Sequence, residues 1–396
     1  MARFSGNPRA PRRKCATTMS EFVWRSIRLY YFELDKDDLL LDCVRPILAT
    51  LRARRWARRA YFIRHWEGGP HIRFQVEAAP ETFERDIKPF VTHEADAYFR
   101  ARPSRSIYTE EDALREHQRH QRMTDEPLPY AAPAANNSIA LADYDSRAAA
   151  IGSAGTAGVL EDFYVETNDL VFEIIERTRG SYPARFNASF DQLVAVAAAS
   201  SRMPLTRAYI SYRSHSEAYI VSEPQAESPA ARQQRFHQMY LERRDTLLRR
   251  FTRLLSQIDT APEQLPSWLA GVIAAHHRYF EAALQGTKDA SIGLRKVEDA
   301  PEDDGDERPY LLDASEFHKA RRANEAAQKY LMAHPIMIAF RIMLNFLYLH
   351  LSRTGMLNND RYVLDYYIAE VVEEVFHISA VDIISSYTGA EQTPAR

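Results

Sequence analysis

The sequence predicts an α+β protein: a mainly antiparallel sheet with packed helices, followed by a helical carboxy-terminal half. Three observations carry that expectation. Residues 58–76 read RRAYFIRHWEGGPHIRFQV, two runs rich in β-branched and aromatic residues around Glu67-Gly68-Gly69-Pro70, which is the pattern of a β-hairpin. Strand, helix, hairpin and helix patterns follow one another from Trp24 to Phe99, an order that suits helices on one side of an antiparallel sheet. From Ala230 to Ser385 the apolar spacing is helical almost throughout.

Composition sets the outer limits. The chain has 396 residues, 45% of them hydrophobic, enough to fill a substantial core. Its net charge of -3 offers no global attraction for nucleic acid, so no direct tRNA binding is expected. Two cysteines, Cys15 and Cys43, make no disulfide framework, and no zinc-type spacing is present. No uninterrupted apolar run reaches the length of a membrane span. These features predict a soluble, cytoplasmic protein with one domain over residues 23–388. Residues 1–22 read as a disordered, Arg-rich arm.

The elements follow in order. Ser26 to Glu33 alternates as a strand does, and Asp37 to Arg55 carries Leu39, Leu40, Cys43, Ile47 and Leu51 at helical spacing. In the hairpin, Ala60–Trp66 and His71–Val76 form the strands. Ile72, Phe74 and Val76 face one way, and His71, Arg73 and Gln75 the other. Pro80 and Glu81 open a second amphipathic helix to Phe99, kinked or split at Pro89. Residues 103–144 are polar and proline-bearing and read as a long loop insertion, either a functional flap or partly disordered. Within it, His117 and His120 share a helical spacing but lack a third ligand, so no metal site is expected. Gly158 to Thr178 is helical with Gly180 as its stop, and Ser189 to Ser201 is a short helix capped by Ser189. Leu205 to Val221, LTRAYISYRSHSEAYIV, reads as another strand. The helices are Ala230–Ile258, Pro262–Leu284, Ser315–Ala333, Pro335–Arg353 and Arg361–Ser385, with an acidic loop over residues 287–313.

Two patterns admit chemistry. The ladder His71, Arg73, Gln75, close to Arg64 and His65, is either a solvated sheet face or a site for an anionic, enolate-like intermediate. His350, on the most apolar helix, is either a hydrogen-bonded core histidine or a proton-transfer group retuned by burial. The arginines of Ala230–Ile258 interleave with Glu242 and Asp245 and read as an exposed, self-paired face.

YFIRHWEGGPHIRFQV, the long loop, GSAGTAGVLEDFYVETNDLVFEII, the SYRSHSEAY run and the helix ending FLYLHLSRTG together resemble the carboxy-terminal elimination domain of class I lanthipeptide dehydratases. That lineage includes the free-standing pyridine synthases of thiopeptide biosynthesis. The resemblance runs from about Trp24 to Gly355. It implies that a ribosomally made precursor peptide, leader plus core, is the substrate. No cofactor is implied, and a separate glutamylation subunit is the partner that a glutamate-eliminating member needs.

The resemblance also distinguishes the branches. In the dehydratases, arginines on and after the hairpin and a histidine on the late helix remove glutamate from a glutamylated Ser or Thr. Here His350 matches the histidine and Arg73 the first hairpin arginine. The second falls on Gln75, and a third falls on Ala150, where Arg147 or Arg115 would have to compensate. An elimination that loses two cations loses much of its electrostatic stabilisation. The pyridine synthases instead join two dehydroalanines and an amide carbonyl in a formal four-plus-two cyclisation, then expel water and the leader. That reaction calls for a folded peptide and mild acid-base help. The catalytic candidates are His350, Arg73, His71, Tyr212 and His215, with Arg64, Gln75, Tyr209 and Arg213 binding substrate. The expected function is therefore ring formation, with glutamate elimination or a non-catalytic leader-binding scaffold as the alternatives.

Overall fold

The computed structural model describes residues 22–123, 129–222, 227–294, 314–357 and 359–389. The expected arm and most of the acidic loop lie outside these. Strands β1 (Val23–Tyr30), β2 (Arg59–His65), β3 (His71–Ala78) and β4 (Ser138–Ala142) form one antiparallel sheet in the order β2-β3-β1-β4. The hairpin forms as its sequence predicts. Gly68 (φ 72°) and Gly69 (φ 109°) take left-handed conformations that other residues resist. A Cβ on Gly69 would come within 2.6 Å of the Phe32 ring.

Helix α1 (residues 37–53) and helix α2 (residues 80–101) pack on one sheet face. Each contains a π turn, Leu40–Val44 and Phe83–Ile87, just before an internal proline, Pro46 and Pro89. Proline lacks the N–H that would bond four residues back, and the wider turn absorbs that loss. Ile27, Leu29, Phe62, Ile72, Phe74 and Val76 fill the core beneath these helices.

The expected loop over residues 103–144 is not structureless. It holds helix α3 (Glu110–Met123) and β4, whose entry is set by Asn136 and by Asn137 at φ 56°. The Asn136 side chain receives the Phe32 N–H and donates to the Ser106 carbonyl, so the segment is tied to the end of β1.

Helices α4 (Ala154–Glu166) and α5 (Asn168–Thr178) replace the single expected helix, breaking at Thr167. Helix α6 (Tyr182–Ala199) is capped by Ser181. Ser189 lies in its buried interior and caps nothing. Leu205–Val221 is not a strand: it forms a turn, Leu205–Ala208, and helix α7 (Ile210–Ser222). Its apolar and aromatic residues lie on all sides of a helix sunk in the core, a pattern that also matches strand alternation.

The remaining helices are α8 (Pro229–Thr260), α9 (Ser267–Lys288), α10 (Glu316–Ala323), α11 (Glu325–Ala333), α12 (Pro335–Thr354), α13 (Asp360–Phe376) and α14 (Ala380–Ser385). Helix α12 is long and apolar enough to cross a membrane by composition, but its Phe340, Met343, Phe346 and Leu347 are buried in the second core with residues of α9. Buried Arg353, at its end, binds the two cores together. Its guanidinium donates to the carbonyls of Phe62 (2.9 Å) and Tyr164 (3.2 Å) and to Thr167 and Asn168.

Candidate functional site

The face of the sheet turned away from α1 and α2 is buried, not solvated. On it Ser26, Arg28 and Tyr30 of β1 stand opposite Gln75, Arg73 and His71 of β3, which stand opposite Tyr61, Ile63 and His65 of β2. His71 is 0%, Gln75 2% and Arg73 6% exposed, so of the two readings the solvated face does not hold. Helix α4 and the segment before it cover this face. Tyr61 and Tyr144 share a hydroxyl contact of 3.1 Å, Tyr144 donates to Glu161, and Arg59 pairs with Glu77 and Asp162.

Arg28 and Arg73 are direct cross-strand neighbours. Like charges so placed repel. Glu67, from the hairpin turn, holds both: it pairs with Arg73 and reaches Arg28 at 3.5 Å. Arg147, in a left-handed conformation, and Asp145 lie within electrostatic reach of Arg73. Burial, and then Arg28, pull the Arg73 guanidinium down to about 10.

Four buried polar atoms on this face have no hydrogen-bond partner: Arg28 Nε, Arg73 Nε, His71 Nε2 and Gln75 Oε1. Such groups are rare in folded proteins because each costs about 1–3 kcal/mol. The four sit on neighbouring positions of β1 and β3, where a polar ligand could satisfy them. Burial lowers His71 to about 3, so its imidazole is neutral at physiological pH. Its Nδ1 lies 2.8 Å from the Gly69 carbonyl, which can only accept, so Nδ1 carries the proton and Nε2 offers a lone pair. The site thus has guanidinium donors for a developing oxyanion and one weakly basic nitrogen.

The other predicted residues lie elsewhere. Arg64 points to the opposite face of the sheet. It donates to the Arg353 carbonyl (3.1 Å) and pairs with Asp37, which also holds Arg185. It is a structural clasp, not part of the ladder. His350 is fully buried beside Phe163, at 6.1 Å between ring centroids, and beside His276, also at 6.1 Å. Neither of its ring nitrogens has a partner. Among the described residues nothing joins it to Arg73 or His71. Ring contacts lead from His350 through Phe163 and Tyr164 of α4 to Tyr61 of β2.

Because α7 is a helix, its candidates diverge instead of sharing a face. The Tyr212 hydroxyl donates to the Leu193 carbonyl at 2.7 Å. Tyr209 and Arg213 meet Glu373, and Arg213 also meets Glu370 and Glu217. Arg213, Glu217, Glu370 and Glu373 line a cavity of about 710 Å³ among α7, α8, α10 and α13; Tyr209 does not. His215 turns the other way and bonds the Tyr348 hydroxyl at 2.9 Å, which donates to buried Asp365. Sequence reasoning passed over Arg28 and Glu67. The signal for Arg28 was its place in the alternating strand, two residues from Tyr30. His117, noted as half of a pair, stands by the hairpin end instead, with its ring 6.5 Å from Trp66.

The family model described as the carboxy-terminal part of lantibiotic biosynthesis dehydratase matches residues 24–372. The structure resembles the pyridine synthase TbtD from thiomuracin biosynthesis, with 26% identity and a TM-score of 0.68, over 90% of this chain and 99% of that one. It also resembles TsrL in fold, with 22% identity and a TM-score of 0.69, over 92% and 98% of the two chains. No curated protein matches the sequence significantly.

Proposed function

The chain belongs to the lantibiotic biosynthesis dehydratase carboxy-terminal family, and from that premise we propose that it is a thiopeptide-type pyridine synthase. It would act on a ribosomally made precursor peptide bearing two dehydroalanines. The observation that carries this reading is the likeness to TbtD along nearly the full length of both chains. The sheet face supports it. Neutral His71 can accept a hydrogen bond from a substrate amide N–H, easing the shift of that proton to oxygen. Arg73 and Arg28 can steady the oxygen until it leaves as water.

One observation favours the elimination alternative. Arg28 stands opposite Arg73 and Arg147 lies within electrostatic reach of it, so these two could stand in for the cations missing at Gln75 and Ala150. One experiment separates the two. Purified protein is given a precursor that already carries two dehydroalanines. Pyridine absorbance with release of the leader supports cyclisation. Inertness toward that peptide, together with turnover of a glutamylated one, replaces cyclisation by elimination.

A further inference from the structure

The cavity of about 710 Å³ among α7, α8, α10 and α13 lies outside the chemistry proposed for the sheet face. Its size falls within the roughly 300–1,000 Å³ that ligand pockets occupy. Ile220, Val221, Phe317 and Val381 give it an apolar lining. Its charged lining does not balance. One guanidinium, Arg213, serves three carboxylates. Arg213 Nη2 donates to Glu373 at 2.7 Å and to Glu370 at 2.9 Å. Glu217 lies 3.7 Å from Nη1, beyond hydrogen-bond length.

Glu373 is well satisfied, since it also receives the Ala380 N–H at 3.0 Å and the Tyr209 hydroxyl at 3.5 Å. Glu217 and Glu370 are less so. The hydroxyls of Ser315 and Tyr366 meet them but bring no charge. Among the described residues, only the exposed His237 ring, 4.0 Å from Glu370, adds a further basic group. Burial, with repulsion from Glu370 and Glu373, raises the Glu217 carboxyl even though Arg213 pulls it down. Three helices start at this cavity, a feature that alone would favour an anion, but each start is capped by its own serine. Ser228 takes the Ala231 N–H, Ser315 the His318 N–H and Ser379 the Asp382 N–H. A metal ion does not fit either: among the described residues no three acidic, histidine or cysteine side chains are placed to hold one.

We propose that this cavity binds an organic cation, a guanidinium or ammonium group on an aliphatic chain, with its charge between Glu217 and Glu370 and its chain against the apolar lining. Lysine and arginine side chains of a peptide have that build, a charged head on a hydrocarbon stem, and so do free polyamines. A cation there supplies the charge that Arg213 alone does not, and it leaves the Arg213–Glu373 pair intact. The inference goes beyond the function proposed above and does not rest on it.

The test is isothermal titration calorimetry of the full chain with triarginine, beside spermidine and triglutamate. At least one of the two cations is expected to bind saturably, and triglutamate is not. Glu217→Gln with Glu370→Gln should weaken that binding by about tenfold or more, because each change removes a charged partner. Ala230→Trp keeps every charge but fills space at an exposed residue of the lining, and it should weaken binding too. Asp259→Asn with Glu263→Gln removes the same net charge from exposed positions elsewhere and should leave binding unchanged. Circular dichroism and melting temperature check the fold of each variant. Tighter binding of triarginine assigns the cavity to a peptide side chain, and tighter binding of spermidine assigns it to a free amine; either supports the proposal. Failure of both cations to bind, equal binding by the parent and the cavity variants, or an equal loss in the surface control overturns it.

Discussion

At the scale of single residues, the sheet face makes two sharp statements. Arg28 and Arg73 should matter together, so Arg28→Gln and Arg73→Gln should each lower turnover by about 10²-fold while the fold survives, as read from kcat and circular dichroism. His350 should not behave in this way. Its ring is sealed among Phe163, His276 and Arg353, with both nitrogens unpartnered. Replacing it with leucine removes two unsatisfied polar atoms, so His350→Leu should keep kcat within about threefold and match or exceed the parent's melting temperature. A hundredfold loss of kcat in a folded His350→Leu protein would return that histidine to the chemistry. The sequence showed that Arg73 and His71 share a face. It could not show that the face is covered, because the covering helix lies some eighty residues downstream.

At the scale of elements, legibility depended on whether local pattern and burial agreed. The hairpin was readable because Gly68 and Gly69 supply backbone angles that few residues adopt. Gly69→Ala meets both a positive φ and the Phe32 ring, and should cost about 1–3 kcal/mol in urea unfolding. Helix α7 was misread because Ile210, Tyr212, Tyr219, Ile220 and Val221 are β-branched or aromatic residues that favour strands, and burial around the helix hides its period. Strand β4, five residues long, was marked only by the Asn136-Asn137 turn before it. Arg353 is the joint between elements, and its four acceptors belong to β2, α4, α5 and the break between those helices. Arg353→Met strands buried carbonyls at both cores and should lower unfolding free energy by about 3 kcal/mol or more, measured from the urea midpoint.

At the scale of the whole molecule, the histidines set an acid limit. Burial holds His71 and His215 at about 3, and His276 and His318 at about 4, against an ordinary value near 6.5. The unfolded chain therefore binds more protons than the native one between those values. Stability is full above pH 6.5 and falls as pH drops toward 4, by about 1.4 kcal/mol per pH unit for each such histidine. Melting temperature against pH should show that fall below 6.5 and no comparable one between 7 and 8. The same layering that buries these rings closes both broad sides of the sheet, which leaves Glu67, at 17% exposure, nearer to solvent than Arg73 at 7%. An anion held by these arginines would have to exchange with the Glu67 carboxylate already paired to them. Glu67 would then be a tethered competitor whose effective concentration never dilutes, limiting how tightly an oxyanion could be held. Freed of it by Glu67→Gln, the arginines should grip a free carboxylate such as acetate more strongly, at the risk of releasing product more slowly.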